Sequence, residues 1–473
     1  MRRLLFALLP LAIATSQAAD LAAAALAGMK RATEFFTREV ACHGGYLWRY
    51  SEDLKQREGE GKATETQVWV QPPGTPAVGL ALVRAYEATG ERQFLAAAVA
   101  AAHALVFGQM RSGGWQYSID FSEAGSKRFA YRHLPEPESK SVRIHSILDD
   151  DTTQAALRHL MAVDQLVQDA RVHEAVVYGL DALLKAQLPK GGWPQVFGQP
   201  EPEQRTGPYV KIELDGSRAT LQRPTRYWHY YTFNDGVIND CVAVCLEAHE
   251  RMKEAKCLDA ARRAGGFIIE SQLKAPQAGW AQQYTHDLRP EWARKFEPPA
   301  VCSAVTVRNI RSLVEVWLAT GEAKYLGPIP AALDWLGRSK LAGDKPRWAR
   351  FYELGTNRPL YFVKGTYELT YRDDNLPTHY SFISDYGVEK AGRLYREAKA
   401  KGRGAILAER SRKPTAKELR AKAKGMEGQV RSVLAALDAR GRWLADGWIE
   451  CKTFIRNLDV LSSYLGALRH AAP

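Results

Sequence analysis

The sequence predicts a mainly α-helical fold, an α/α toroid built as a ring of antiparallel helical hairpins, with a few short strands in the loops. Two observations predict it. Apolar residues recur at helical period in one segment after another, with few strand signals between them. A short phrase also returns just past such segments, as Gly44-Gly45-Tyr46, Gly113-Gly114-Trp115, Gly191-Gly192-Trp193 and Gly279-Trp280. Its aromatics lie 69, 78 and 87 residues apart, room for two helices and a loop each time. Hairpins that each bury one apolar face close on their neighbours, and a ring is the natural closure.

The helices are predicted at Leu21 to Glu39, Pro76 to Ala88, Arg92 to Phe107, Thr153 to Asp169, Val172 to Gln187, Asn234 to Met252, Cys257 to Gln272 and Thr306 to Thr320. Two of them run into Gly-ended turns, Ala88-Thr89-Gly90 and Ala319-Thr320-Gly321, as helix C-termini do. A Gln stands upstream of each of the last three phrases (Gln109, Gln187, Gln272), and Gln116, Gln195 and Gln282 follow the tryptophans. Loops of this kind gather aromatics and amides at one end, an arrangement suited to an extended ligand such as a carbohydrate. Trp193 is expected to contact that ligand. Strands are predicted only locally, at Val210 to Leu214 and Arg218 to Arg223 around Asp215-Gly216, and within Leu360 to Tyr371. Gly198 to Trp228 is a long insertion rich in Pro, Gly and Arg.

The chain opens with the pattern of a cleavable secretory signal. Arg2-Arg3 is the charged start, Leu4 to Ile13 the apolar run, and Ser16-Gln17-Ala18 a small-residue cleavage site. The run is too short to span a bilayer. The expected organisation is a signal peptide at 1–19, a catalytic domain at 20–400 and a basic helical extension at 401–473. The expected destination is the periplasm or the exterior.

The formal charge of +12 becomes +10 without Arg2 and Arg3. A basic exported chain favours an anionic partner: a polyanionic glycan, a nucleic acid or a membrane surface. Charge alone does not choose among them. Six cysteines (Cys42, Cys241, Cys245, Cys257, Cys302, Cys451) show no zinc spacing, and most read as small buried hydrophobes.

Three constellations carry chemistry. Asp149-Asp150-Asp151-Thr152 opens a helix; capping explains one of its acids, and clustered carboxylates suit a hard cation. Asn234-Asp235 opens another helix, with a capping residue as the plain reading. The third is a doubled phrase, Trp292-Ala293-Arg294-Lys295-Phe296-Glu297 and Trp348-Ala349-Arg350-Phe351-Tyr352-Glu353, the second running on through Asn357-Arg358-Pro359. With Arg308 and Arg311 it forms a cationic group suited to forked pairing with carboxylates, and salt bridges to Glu297 and Glu353 are its structural alternative.

The ordered set resembles the pectate lyases of polysaccharide lyase family 10, the pectic acid lyase family. The matching phrases are Asp149 to Leu160, Gly191 to Gln195, Thr232 to Asp235, Gly279 to Gln282, Pro290 to Glu297 and Ala349 to Pro359, with a weaker match at Thr378 to Phe382. The resemblance covers roughly residues 140 to 385. It implies an α/α toroid and β-elimination on polygalacturonate, with calcium bound by Asp235 and Asp149 and an arginine, Arg294, as the base at C5. It further implies Asp149, Asn357 and Arg358 at the substrate, and the cationic group and the aromatic loops add Arg308, Arg311, Arg350 and Trp193 as expected substrate-binding residues. The implied partner is polygalacturonate or a related acidic polysaccharide, met by a monomer; no nucleic acid or membrane is expected. The sequence departs from the family pattern at Gly236, where a second Asp is common, at Pro377, where an arginine is common, and in the long segment between Gln195 and Thr232. Three other readings stay open: a non-catalytic acidic-glycan-binding protein, a toroid glycoside hydrolase and a terpenoid cyclase.

Overall fold

The computed structural model describes residues 9–136, 141–200 and 206–471. Residues 1–8, which hold the charged start of the expected signal segment, lie outside the described residues, as do 201–205 of the long insertion. The described chain is mainly α, as predicted. Helices occupy Thr75–Thr89, Arg92–Gly108, Thr152–Asp164, Ala170–Lys185, Val237–Met252, Ala255–Glu270 and Ser303–Thr320, each within a few residues of its expected bounds. The first predicted helix begins earlier, at Leu9–Phe35, and ends in a wider turn at Phe36–Val40. Two-residue turns join Thr75–Thr89 to Arg92–Gly108 and Val237–Met252 to Ala255–Glu270, so both are helical hairpins.

Two compact units are present. The first comprises residues 1–144, 155–179 and 413–473. Here Cys451–Ala471 lies against Thr75–Thr89, and Ala416–Ala435 against Cys451–Ala471. A forked ion pair fixes the first contact, Arg84 Nε and Nη2 donating to Asp459 at 2.8 and 2.9 Å. The C-terminal helices expected as part of an extension therefore share a core with the N-terminal hairpin, and the division between units does not fall at residue 400.

The second unit comprises residues 145–154 and 180–412. Besides its helices it holds a six-stranded sheet in the order Val301–Cys302, Phe351–Tyr352, Pro359–Phe362, Leu369–Thr370, Thr206–Leu214, Ser217–Pro224. The predicted hairpins are its last four strands. Leu369 pairs in parallel with Ile212, which attaches the long insertion to the rest of the sheet.

The repeated phrase is a packing device. The indole Nε1 of Trp115, Trp193, Trp280, Trp348 and Trp443 donates to a carbonyl near the end of the preceding helix, at Leu105, Leu183, Ile268, Leu336 and Val433, over 2.6 to 2.9 Å. Last-turn carbonyls have no partner within their helix, so each indole satisfies an orphan acceptor. The upstream glutamines finish the joint. Gln187 Nε2 donates to the carbonyls of Gly191 and Ala260, and Gln272 Nε2 to those of Ala278 and Pro328, at 2.7 to 3.0 Å. Gln109 does the same with Gly113 and Ala175. The tight turn at Gly191 (φ +103°) leaves no space for a Cβ, which would sit 2.3 Å from the Arg263 carbonyl oxygen. All six cysteines are free, and all but Cys42 are buried.

Candidate active site

Two acidic turns, each opening a helix, meet in the second unit. Asp149–Asp151 leads into Thr152–Asp164, and Asn234–Gly236 into Val237–Met252. Both place aspartates in the left-handed region: φ is 50° at Asp150, 59° at Asp151 and 48° at Asp235. Aspartate tolerates that region better than bulkier residues, and such conformations gather at functional sites. The helix starts favour ionised carboxylates there. The second turn is braced by the Gln282 carbonyl, which accepts from the Phe233 and Asn234 amides at 2.8 and 3.1 Å.

Arg294 joins the two turns. Its Nη2 donates to Asp149 Oδ2 at 2.8 Å and its Nη1 to Asp235 Oδ2 at 3.0 Å, with Glu297 Oε1 3.4 Å from Nη1. The Arg294 loop closes on itself, the Arg294 amide donating to Glu297 Oε2 and the Glu297 amide to the Arg294 carbonyl, both at 2.9 Å. Glu297 is 1% exposed and accepts from Asn234 Nδ2 at 2.7 Å. The Tyr380 hydroxyl lies 3.0 Å from Glu297 Oε1 and 3.3 Å from Asp235 Oδ1. The Arg350 guanidinium covers the Tyr380 ring at 3.9 Å.

The charges are strongly coupled. Burial disfavours the charge on Arg294, but Glu297, Asp149 and Asp235 outweigh it and raise its pKa above the arginine range. Burial raises the pKa of Glu297, against the pull of Arg294. Burial, then the charges of Glu297 and Asp235, push the Tyr380 hydroxyl well up, which keeps it protonated. Carboxylate oxygens of Asp149, Asp150 and Asp235 lie within 4.8 Å of one another. An all-carboxylate donor set of this size suits calcium, a hard ion that takes oxygen ligands from flexible geometries.

The predicted site residues divide. Arg294, Asp149 and Asp235 come together, with Arg350 against Tyr380. Arg308 stands by the second turn: a Cβ on Gly236 would meet its Nη1 at 2.6 Å and Asp240 Oδ2 at 2.5 Å. The Gly236 φ of +85° is a conformation that L side chains rarely adopt, which suits glycine at this position. Arg311 approaches the Gly387 carbonyl at 3.5 Å. Arg358 is drawn off to Asp215, 2.6 Å away, and stacks over Tyr371 at 3.4 Å.

Two expectations are corrected. Trp193 is fully buried and spends its indole N–H on Leu183, so it has no face to offer a sugar. Asn357 is spent on packing against the helix Ile329–Arg338: Oδ1 accepts from Trp335 Nε1 at 2.7 Å and Nδ2 donates to Ser339 Oγ, at that helix's C-terminal end, at 2.9 Å. Asp150 and Asn234 stood in the acidic phrases without a role of their own, and Glu297 was expected only as a salt-bridge partner. Tyr380 stood in the weakest matching phrase and was not expected in the site.

A family model described as pectic acid lyase matches residues 109–374, which is 266 of the 473 residues. No curated protein matches the chain. Among solved structures, the chain is similar to a variant of the family 10 polysaccharide lyase from Cellvibrio cellulosa in complex with trigalacturonic acid. The identity is 18%, over 63% of this chain and 91% of that one, with a TM-score of 0.46. It is also similar to an inactive variant of an α-1,6-mannanase from Salegentibacter sp. HEL1_6, at 11% identity over 94% of this chain and 99% of that one, with a TM-score of 0.41.

Proposed function

The chain belongs to the pectic acid lyase family, and from that premise we propose that it is an exported, monomeric, calcium-dependent lyase. It cleaves polygalacturonate or a related acidic polysaccharide by β-elimination where Arg294 joins Asp149 and Asp235. The observation that carries this reading is the arginine itself, one guanidinium spanning two acidic helix starts far apart in sequence. Export rests on the N-terminal sequence pattern, and no described helix is long and apolar enough to cross a membrane.

The reaction removes the proton at C5 of a uronate and breaks the C4–O bond, leaving a 4,5-unsaturated end. That proton is barely acidic while the adjacent carboxylate is unneutralised. Asp149, Asp150 and Asp235 would hold calcium, which supplies positive charge to the uronate and to the carboxylates around it. Arg350 and Arg308 are placed to add fixed positive charge, and such preorganised charge lowers the cost of the enolate-like transition state. Arg294 takes the C5 proton in this reading. Its burial favours the neutral form, and the three carboxylates oppose it.

That opposition favours a second reading, in which Arg294 stays a guanidinium and only clamps the developing charge. The two readings share the same substrate and product. The calcium component is tested by calorimetric titration of calcium into the wild-type protein and Asp235→Asn. Affinity is expected to fall at least ~10-fold in the variant, because it follows the carboxylate count. Equal affinity in both proteins, or full turnover in chelator, would remove calcium from the site.

A further inference from the structure

The segment between Gln195 and Thr232, much longer than the family phrase leads one to expect, reaches back to the reacting arginine. Its strands Thr206–Leu214 and Ser217–Pro224 are anchored at the tip, where Asp215 holds Arg358. At the other end, Arg223 Nη1 donates to the carbonyl of Ala293, the residue before Arg294. Among the described residues Arg223 has no ion-pair partner, and its Nε is buried without an acceptor. Such a half-buried cation is costly, and its hydrogen bond goes to a backbone atom rather than to a counter-ion. Burial depresses its pKa, with the charges of Tyr227 and Glu297 opposing that. Four residues on, the Tyr227 carbonyl accepts from Gln283 Nε2, which ties the same stretch to the strand Gln283–Tyr284. The inserted segment thus grips the peptide just before Arg294.

We propose that Arg223 is a positioning residue: the inserted segment straps the Ala293–Arg294 peptide so that the guanidinium spans Asp149 and Asp235. The proposal rests on the reading of Arg294 as the reacting arginine. The Arg294 loop has hydrogen bonds of its own, Ala293 amide to Glu297 carbonyl at 3.1 Å and Glu297 amide to Arg294 carbonyl at 2.9 Å. It folds without the strap, then, but its orientation relative to the acidic turns depends on it. A misplacement of about 1 Å at a reacting group costs on the order of 10²-fold in rate.

The test compares the full-length wild type with Arg223→Met, Arg223→Lys and Arg223→Gln in two measurements. Steady-state kinetics on polygalacturonate should show kcat lowered by roughly 10- to 10²-fold in Arg223→Met with KM little changed. Arg223→Lys, which restores one charged donor, should recover most of that loss. Hydrogen exchange should show faster exchange of the Ala293, Arg294 and Glu297 amides in Arg223→Met, with the rest of the second unit unaltered. Unchanged kcat and unchanged exchange in Arg223→Met would overturn the proposal, as would a Lys variant no better than Met. If Arg223→Met does not fold, Arg223→Gln, neutral and shorter, decides: slower turnover with faster local exchange supports the strap, and wild-type values in both overturn it. If the wild type gives no unsaturated product, the lyase reading fails by itself, while the exchange comparison still decides the strap.

Discussion

Arg294→Lys keeps a positive charge among Asp149, Asp235 and Glu297 but loses the two-armed reach. The guanidinium uses Nη2 for one turn and Nη1 for the other, and an ammonium cannot hold both at these distances. The variant is expected to fold and to lose roughly 10²- to 10⁴-fold in kcat, the contribution of a positioned proton-transfer group. Arg294→Ala should in addition be destabilised by roughly 3–5 kcal/mol, because Asp149 and Glu297, each 1% exposed, lose their counter-ion. Kinetics and denaturant midpoints on both variants check this. Near-normal turnover in Arg294→Lys would confine Arg294 to a clamping role and move the base elsewhere. At this scale the sequence showed the acids and the arginine, because they stand in short phrases. It did not show Tyr380, whose neighbour in space, Glu297, lies 83 residues away.

Seven of the eight expected helices lie within about five residues of their expected bounds, since apolar period and Gly-ended turns are local signals, whereas Ile329–Arg338 and Val388–Ser411 were not singled out. The use made of the recurring tryptophans was not legible. Sequence supplies the residue type and the spacing, but whether an indole faces solvent or a helix end is decided by packing. The structure turns these rings inward, and a prediction separates the two roles. Trp193→Phe keeps most of the ring volume and deletes the donor to the Leu183 carbonyl, so stability should fall by about 1–3 kcal/mol. Turnover per folded molecule and KM should stay near wild type; a large rise in KM with unchanged stability would restore the ring as a sugar platform. A second prediction concerns His159 on the helix Thr152–Asp164. It is fully buried with a ring nitrogen 3.1 Å from the Ala98 carbonyl, and burial lowers its pKa from 6.5 to about 4. Below pH 6.5 the unfolded chain takes up a proton that the folded chain refuses, so the depressed pKa favours folding only above that pH. Stability should fall as pH drops from 6.5 towards 4, by at most about 3 kcal/mol from this group, and level off below. Urea midpoints across that range should show the slope, and His159→Gln should flatten it.

At the scale of the whole molecule, the chain distributes its tasks between two units. The site lies within the second, whose residues 145–154 bring the Asp149 turn to a body otherwise made of residues 180–412. The C-terminal helices complete the first unit. That placement was open in the sequence because their basic, polar composition fits either a free appendage or a packed helix with one solvated face. A net charge of +12 suits an anionic polymer, whose approach it would accelerate at low salt. The central claim is that this body eliminates across a uronate bond and does not hydrolyse it or merely bind it. Product analysis after incubation with polygalacturonate and calcium tests it most directly. The account predicts oligomers with a 4,5-unsaturated end, absorbing in the ultraviolet and each lighter by one water than the hydrolysis product, and none when calcium is chelated or Asp235 is replaced by Asn. Saturated products with new reducing ends, or saturable binding with no cleavage, would contradict it.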